Sequence, residues 1–376
     1  MTKKNDVVKG KKKINFTEEK PFEFLRIIVS ILIALAVTFI LLCFVTDNPV
    51  GLFIQLLAFP LKGITQGKFF FFGYVLAKMI PLCFAGLATL LYFRTGLFNL
   101  STEGVFYFSG IVCTFFAINP SLLTGNSFID SAIVILIAGI SGGIIALIPG
   151  YLKAKWNADE MVISLMLNNI LFGIGYYILV EYLAVGGITA AASANFVESA
   201  MLTKLIPGTQ IHSGLIIVLI AVVAVYVLLF KTKLGYSINI TGLNKNFARY
   251  SGMSAFGLFM VVHFIAGFVG GIGSGVELMG MYPNFQWSVL PGLGFTGALM
   301  ANIGKNHPIG VFLAAFGISY LRAGAQLLAN SNPAIDINMI AIVEVVLTLL
   351  ISSQYFLRKW REKQMLKEEQ KNAWYY

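Results

Sequence analysis

Apolar stretches of about 20 residues recur along the whole chain, divided by short polar or charged connections. An α-helix rises about 1.5 Å per residue, so that length matches a hydrocarbon core about 30 Å thick. The pattern predicts spans near 24–45, 70–92, 98–118, 131–151, 161–183, 213–230, 254–274, 308–327 and 337–357. Residues 275–303 are glycine-rich and irregular, and one more span is expected near 289–303 within them. The total is about ten, or about eight to nine if that stretch is broken or re-entrant. The apolar piece 50–59 is too short to cross, and a long polar loop occupies 185–211.

Composition excludes the soluble alternative. Of 376 residues, 57% are hydrophobic and 12% charged, against about 25% charged in a soluble domain. The first apolar stretch, Phe24 to Val45, outruns a signal-peptide core of roughly 7–15 residues and has no small-residue cleavage site after it, so it is expected to remain as a span.

The net charge of +10 is concentrated at the ends. Residues 1–20 carry seven Lys against three acids, and residues 358–376 carry six Lys or Arg against three acids. Basic tails beside membrane spans mark the cytoplasmic side, and nucleic acid is not expected as a partner. The connections that would then face inward hold Arg94, Lys153, Lys155, Lys231, Lys233, Lys245, Arg249 and Lys305, while the outward ones hold Lys62, Lys68 and Lys204. Both termini are therefore expected inside, which requires an even number of spans. The domain organisation is a basic cytoplasmic tail (1–23), a transmembrane domain (24–357) and a second basic cytoplasmic tail (358–376). Two halves of about five spans, near 24–190 and 212–357, would be inverted copies, which puts a solute path at their interface.

A charge inside the bilayer costs at least about 2.5–3.5 kcal/mol, so ionisable residues within spans need partners or water. Lys78, Glu103, Glu181, His263, Glu277, Arg322 and Glu344 qualify. Each belongs either to an intramembrane pair or helix cap, or to a polar path for a solute; Lys78 and Glu181 can also snorkel to an interface. Asn168 and Asn169 have two readings as well: contacts to a solute, or glue between helices. Gly139, Gly142 and Gly143, with Gly267, Gly270, Gly271, Gly273 and Gly275, suit close helix packing, the alternative being broken helix that lines a cavity. Cys43, Cys83 and Cys113 lie in apolar stretches without paired spacing, so neither disulfides nor metal ligation is expected.

Gly292-Leu293-Gly294-Phe295-Thr296-Gly297 fits G-x-G-x-x-G. However, Pro291 precedes it and residues 307–327 hold no acid, so the dinucleotide fingerprint is incomplete. The chain has no G-x-x-x-x-G-K-[ST], no H-E-x-x-H and no nucleophile–base pairing. No catalytic residue and no metal site is expected, and any ATP-driven step must use another subunit.

Four stretches carry a family resemblance. FRTGLFNLSTEGVFYFSG (93–110) resembles the "aGlfNiGvEGq" signature of bacterial ATP-binding-cassette importer permeases of the branched-chain amino acid/ribose/nucleoside superfamily. NADEMVISLMLNNI (157–170) is similar to that group's "nEvistlMLNyi". GLGFTGALMANIGKNHPIGVFLAAF (292–316) and TGLNKNFARYSGMS (241–254) resemble segments of the nucleoside, guanosine-type branch. The likeness covers roughly residues 25–357. Asn99, Glu103, Asn168 and Asn306 fall on family-like positions. The chain departs from the pattern at Leu100-Ser101-Thr102, Val105, Phe247, Leu299-Met300-Ala301 and Asn302.

The resemblance implies an all-α integral membrane fold like that of the vitamin-B12 permease, with about ten transmembrane helices in two inverted five-helix halves. It implies nucleosides as cargo, with simple sugars or branched-chain amino acids as the alternative. It further implies ATPase subunits inside that hold ATP and Mg, a second homologous permease chain, a substrate-binding lipoprotein outside, and residence as a multi-pass protein in the bacterial cell (inner) membrane. No cofactor is expected in this chain itself.

On that basis the segment 235–252 is the expected ATPase coupling loop, with Gly242, Asn244, Lys245, Arg249 and Gly252; an ordinary basic inner loop is the alternative. A second contact is expected at 153–160, with Asp159 and Glu160. Asn99, Glu103, Asn168 and Glu277 are the candidates for the translocation path, with Phe98, Phe106 and Phe285 as an aromatic wall. A stand-alone secondary transporter, coupled to an ion through the buried acids, is the alternative from a different class.

Overall fold

The computed structural model describes residues 48–62, 69–185 and 191–331, with isolated helical positions between 29 and 44. The predicted spans 24–45 and 337–357, both tails, Lys68 and Glu344 lie wholly or largely outside the described residues. Within these, the α-helices are α1 (Pro49–Ala58), α2 (Phe70–Arg94), α3 (Thr102–Ala117), α4 (Ser127–Trp156), α5 (Glu160–Ile178), α6 (Gly214–Lys231), α7 (Lys233–Leu243), α8 (Lys245–Tyr250), α9 (Ala255–Met281), α10 (Leu293–Ile303) and α11 (Pro308–Ser331). Among the described residues there is no strand, only the isolated bridges Ala184–Ser193 and Lys204–His212.

Among the described residues, six helices are long and apolar enough to cross a membrane: α2, α4, α5 with the π-turn that extends it to Leu183, α6, α9, and α11 as far as Gln326. Each coincides with a predicted span, and α4 and α9 run longer than the sequence pattern indicated. Their ends are set by side chains. Asn126 caps α4, Asp159 caps α5 by accepting the N–H of Met161 and Val162, and Asn157 closes α4 in the left-handed conformation.

Two predicted spans come out short. In place of a helix over 98–118, α3 starts only at Thr102 and its 16 residues reach about 24 Å. The span expected near 289–303 contains a shorter helix: α10 has 11 residues, about 16 Å, and residues 282–292 before it are irregular. Pro283, Pro291 and Gly292 explain the break. Proline has no N–H to donate, and Gly292 has φ +75°.

The helix α2 is the axis of the bundle. In its most apolar window 83% is buried, against 28–50% in the other candidate spans, so protein rather than lipid surrounds it. Helices α9, α10, α11 and α6 pack around it. The most extensive helix contact joins α4 to α9, which run antiparallel. A Cβ on Gly271 would collide with the carbonyl of Ala138, and one on Gly142 with the carbonyl of Gly267. The glycines predicted from these stretches therefore act as close-packing residues, and α4 and α9 are continuous across them.

The 185–211 loop is no loose solvent loop where it is described. Ser193 exchanges backbone and side-chain hydrogen bonds with Phe285, Phe196 N–H donates to Pro283 O, and Leu202 N–H donates to Met279 O. The segment thus laces down the irregular stretch after α9. Cys83 and Cys113 are buried free thiols.

Candidate functional site

The break before α10 creates a helix N-terminus inside the bundle. Its first N–H groups have no intrahelical partner and carry the positive end of the helix dipole. The buried Glu103 carboxylate fills that position. Its Oε1 accepts the N–H of Gly292 at 2.5 Å, and its Oε2 accepts the N–H of Gly294.

This geometry accounts for the G-x-G-x-x-G spacing without a nucleotide. Gly292 supplies the positive φ, Gly294 lies against the Glu103 side chain, and a Cβ on Gly297 would meet the carbonyl of Ala85 at 2.6 Å. The anion at this N-terminus is the chain's own carboxylate.

Asn99 and Asn168 gather around the same α3 start. Asn168 Oδ1 accepts Gly104 N–H at 2.9 Å and its Nδ2 donates to Leu100 O at 3.0 Å. Ser164, one turn earlier on α5, accepts Leu100 N–H at 3.1 Å. Asn99 Oδ1 accepts Ser101 N–H at 2.7 Å, and its amide lies 3.0 Å from His263 Nε2 on α9. Both amides are thus committed to holding the 97–104 turn, while Asn169 is exposed and bonds within its own helix.

Glu277 stands apart from these three. Ser274 Oγ donates to Phe106 O, which sets residue 274 level with 106. Glu277 is therefore nearly one turn beyond that level and Glu103 nearly one turn before it, roughly 10 Å apart in depth. Glu277 is buried at 7% exposure, and its Oε2 has no hydrogen-bond partner among the described residues. The charge of Lys78 on α2 acts on it, and Lys78 also lies over the Tyr74 ring.

Sequence reasoning missed His212. Its ring packs on Gly280, one turn after Glu277, with Nδ1 accepting Gly214 N–H at 3.2 Å and Nε2 unpartnered among the described residues. Burial pushes its pKa down to about 4. No sequence signal marked it, because the residue contributes only through the fold of the 191–213 segment. Of the aromatic-wall candidates, Phe106 and Phe285 are fully buried beside Trp287, while Phe98 is half-exposed and stacked on Phe93.

At the opposite end, α7 and α8 occupy the segment expected to be the coupling loop. The side chain of Asn244 caps α8, and Gly252 closes the segment with φ +80°. Gly242 packs on the backbone of Arg94 and Gly96. Leu243, Phe247 and Tyr250 point outward at 84%, 54% and 91% exposure, beside the basic residues Lys245 and Arg249. The second predicted contact is committed locally: Glu160 pairs with Lys153 at 3.2 Å, and Asp159 caps α5.

Arg94 ties these parts together. Its Nε donates to Asn306 O at 2.6 Å, in the turn after α10, and its Nη1 donates to Asn239 Oδ1 at 3.2 Å, on α7. The guanidinium also lies over the Phe230 ring of α6 at 5.2 Å. Nearby His307 has its pKa lowered by burial and by the Arg94 charge. The eight basic residues predicted to share one side do share one end of this bundle, at the termini of α2, α4 and α6, on α7 and α8, and in the α10–α11 turn. No cluster of three or more His, Cys, Asp or Glu suited to a metal exists among the described residues.

A bundle of apolar helices around a buried, discontinuous segment, with a basic and aromatic element at one end, is that of a multi-pass membrane transport protein. Residues 71–352 match the permease component of the branched-chain amino acid transport system, and the chain belongs to that family. It is a transport subunit and not an enzyme. The glucose ABC transporter permease protein TsgB13 of Haloferax volcanii is 30% identical over 88% of each chain. The guanosine ABC transporter permease protein NupP of Bacillus subtilis is 27% identical over 78% of this chain and 84% of its own. The nucleoside ABC transporter permease protein NupB of Lactococcus lactis is 28% identical over 76% of this chain and 80% of its own. No solved structure matches the chain.

Proposed function

We propose that this chain is the membrane half-gate of an ATP-driven nucleoside importer. In this reading the end carrying Arg94 faces the cytoplasm, both termini lie inside, and residues 1–23 and 358–376 are basic cytoplasmic tails. The full domain, 24–357, has about ten crossings in two inverted halves, like the vitamin-B12 permease, with α10 and residues 282–292 together making one discontinuous crossing. It pairs with a second homologous permease chain, receives solute from an extracytoplasmic lipoprotein, and sits in a bacterial cell membrane. ATP and Mg are held by separate ATPase subunits.

The observation that carries this reading is the α7–α8 element. Its exposed Leu243, Phe247 and Tyr250 suit a protein partner, and its inner face touches Arg94 and Gly96. Movement of α7 and α8 would pass through that contact to the 97–104 turn, Glu103 and the α10 N-terminus. Asn99, Glu103 and Asn168 then act as the movable hinge of the path, and Glu277 as its polar lining.

Nucleosides as cargo are supported by the 292–316 resemblance and by two of the relatives. The glucose permease of Haloferax volcanii favours a second reading, a simple sugar. ATP-dependent uptake of guanosine by the reconstituted complex, with glucose, ribose and leucine as competitors, tests both. Inhibition by glucose but not by unlabelled guanosine overturns the nucleoside assignment.

A further inference from the structure

Polar atoms in the interior of a protein are nearly always hydrogen-bonded, and within a bilayer the cost of leaving them single rises. Several such atoms lie unpartnered, among the described residues, at the end of the bundle away from Arg94, and Glu277 Oε2 and His212 Nε2 are two of them. They come from different elements, yet both meet the last turns of α9. The His212 ring packs on Gly280, and Glu277 precedes Gly280 by three residues on that helix.

Their chemistry is complementary. His212 is neutral, and its Nδ1 accepts the Gly214 N–H, so its proton sits on Nε2. That leaves one buried donor and one buried acceptor on adjoining positions. Aromatic surface adjoins them: the Tyr282 and Trp287 rings meet edge-on at 6.3 Å, and Glu277 acts electrostatically on Tyr282.

We infer that Glu277 and His212 form a subsite for the vicinal hydroxyls of a ribose or hexose ring. One hydroxyl donates to Glu277 Oε2 and the neighbouring one accepts from His212 Nε2–H, while Tyr282 and Trp287 offer a face for the ring. This rests on the importer reading and narrows its cargo. A sugar ring and the ribose of a nucleoside both carry the required pair, whereas a branched-chain amino acid has none.

The test uses the complete transporter with wild-type, Glu277→Gln or His212→Ala chain. ATP-driven uptake and thermal stabilisation are measured with guanosine, 2′-deoxyguanosine, D-glucose and 2,4-dideoxyglucose, each deoxy compound lacking every vicinal hydroxyl pair on its ring. The wild type is expected to favour at least one diol compound over its deoxy partner by about tenfold, and each variant to shrink that ratio towards one, because a site built to pair a hydroxyl rejects the analogue that lacks it. Glu277→Gln keeps the side-chain shape, so it carries the test if His212→Ala does not fold. A wild type without diol preference in either measurement, or variants that keep it, overturns the subsite. Diol-selective stabilisation without ATP-driven uptake supports the subsite and overturns the importer reading.

Discussion

Glu103 of α3 accepts the N–H of Gly292, the residue that precedes α10, so one carboxylate joins positions 189 apart in sequence. Removing it leaves the buried N–H of Gly294, and the more exposed one of Gly292, without this acceptor. Each such orphan costs about 1–3 kcal/mol, and the helix dipole adds to the loss. Glu103→Ala is expected to lower the melting temperature of the purified chain clearly and to abolish transport. Glu103→Gln keeps one oxygen acceptor and should retain part of both. Equal melting of Glu103→Ala and wild type would refute the cap.

The α4–α9 contact is a backbone-to-backbone one. Gly271→Leu places a side chain where the carbonyl of Ala138 already stands, and overpacking of that kind costs about 1–3 kcal/mol or more. Gly173→Ala on α5 meets nothing within 4 Å and serves as the comparison. Size-exclusion profiles should show loss of monodisperse protein for Gly271→Leu and none for Gly173→Ala.

Hydropathy made the six long spans legible because each is a run of apolar residues that must satisfy its own backbone hydrogen bonds. It misjudged α3 and α10 for one reason. Residues 97–101 are as apolar as their neighbours and 282–292 carry Pro, Asn and Gln in an otherwise apolar region, and in both protein satisfies the backbone, through Asn99, Ser164, Asn168 and Ser193. A side chain reaching across from another element leaves no periodic trace. The sequence likewise flagged Glu103 and Asn168 as unusual inside a membrane, and two readings stood open for each. In the fold both serve as cap and glue. His212 had no flag at all, since it lies in a polar stretch where a histidine is unremarkable.

Arg94 bonds at once to Asn239 on α7 and to Asn306 beside α10, which needs two nitrogens in a fixed fork. Arg94→Lys keeps the charge and loses the fork. Assembly with the ATPase should survive, while transport per ATP hydrolysed falls roughly tenfold, equivalent to about 1.4 kcal/mol of coupling. Measuring uptake and hydrolysis in the same vesicles separates this from a simple loss of folded protein.

Phe247 and Tyr250 expose aromatic surface beside Lys245 and Arg249, outside the long spans. Aromatic anchors at protein interfaces each contribute about 2 kcal/mol or more, or roughly 30-fold in affinity. Phe247→Ala and Tyr250→Ala should therefore weaken co-purification of the ATPase without altering the melting curve of the isolated permease. Lys245→Ala and Arg249→Ala should act mainly on its salt dependence. Undiminished ATPase binding by the double aromatic variant would show that α8 is an ordinary inner loop.

His212 makes the fold acid-sensitive in a definite window. Burial lowers its folded pKa to about 4, below the usual value of 6.5, so between these limits the unfolded chain binds a proton that the folded chain refuses. Stability from this residue is therefore complete above about pH 6.5 and falls as the pH drops towards 4, by a total on the order of 3 kcal/mol. Below about 4 the folded imidazole protonates too, and the slope from this group ends. Replacing it by Asn removes the titrating group while leaving an acceptor for Gly214 N–H. Melting of the detergent-solubilised chain between pH 4 and 7 should thus be steeper for wild type than for His212→Asn. The gap between the two curves should change as the pH falls, because the penalty is the imidazole's own; parallel curves would mean that the ring is hydrated and protonates freely in the folded state.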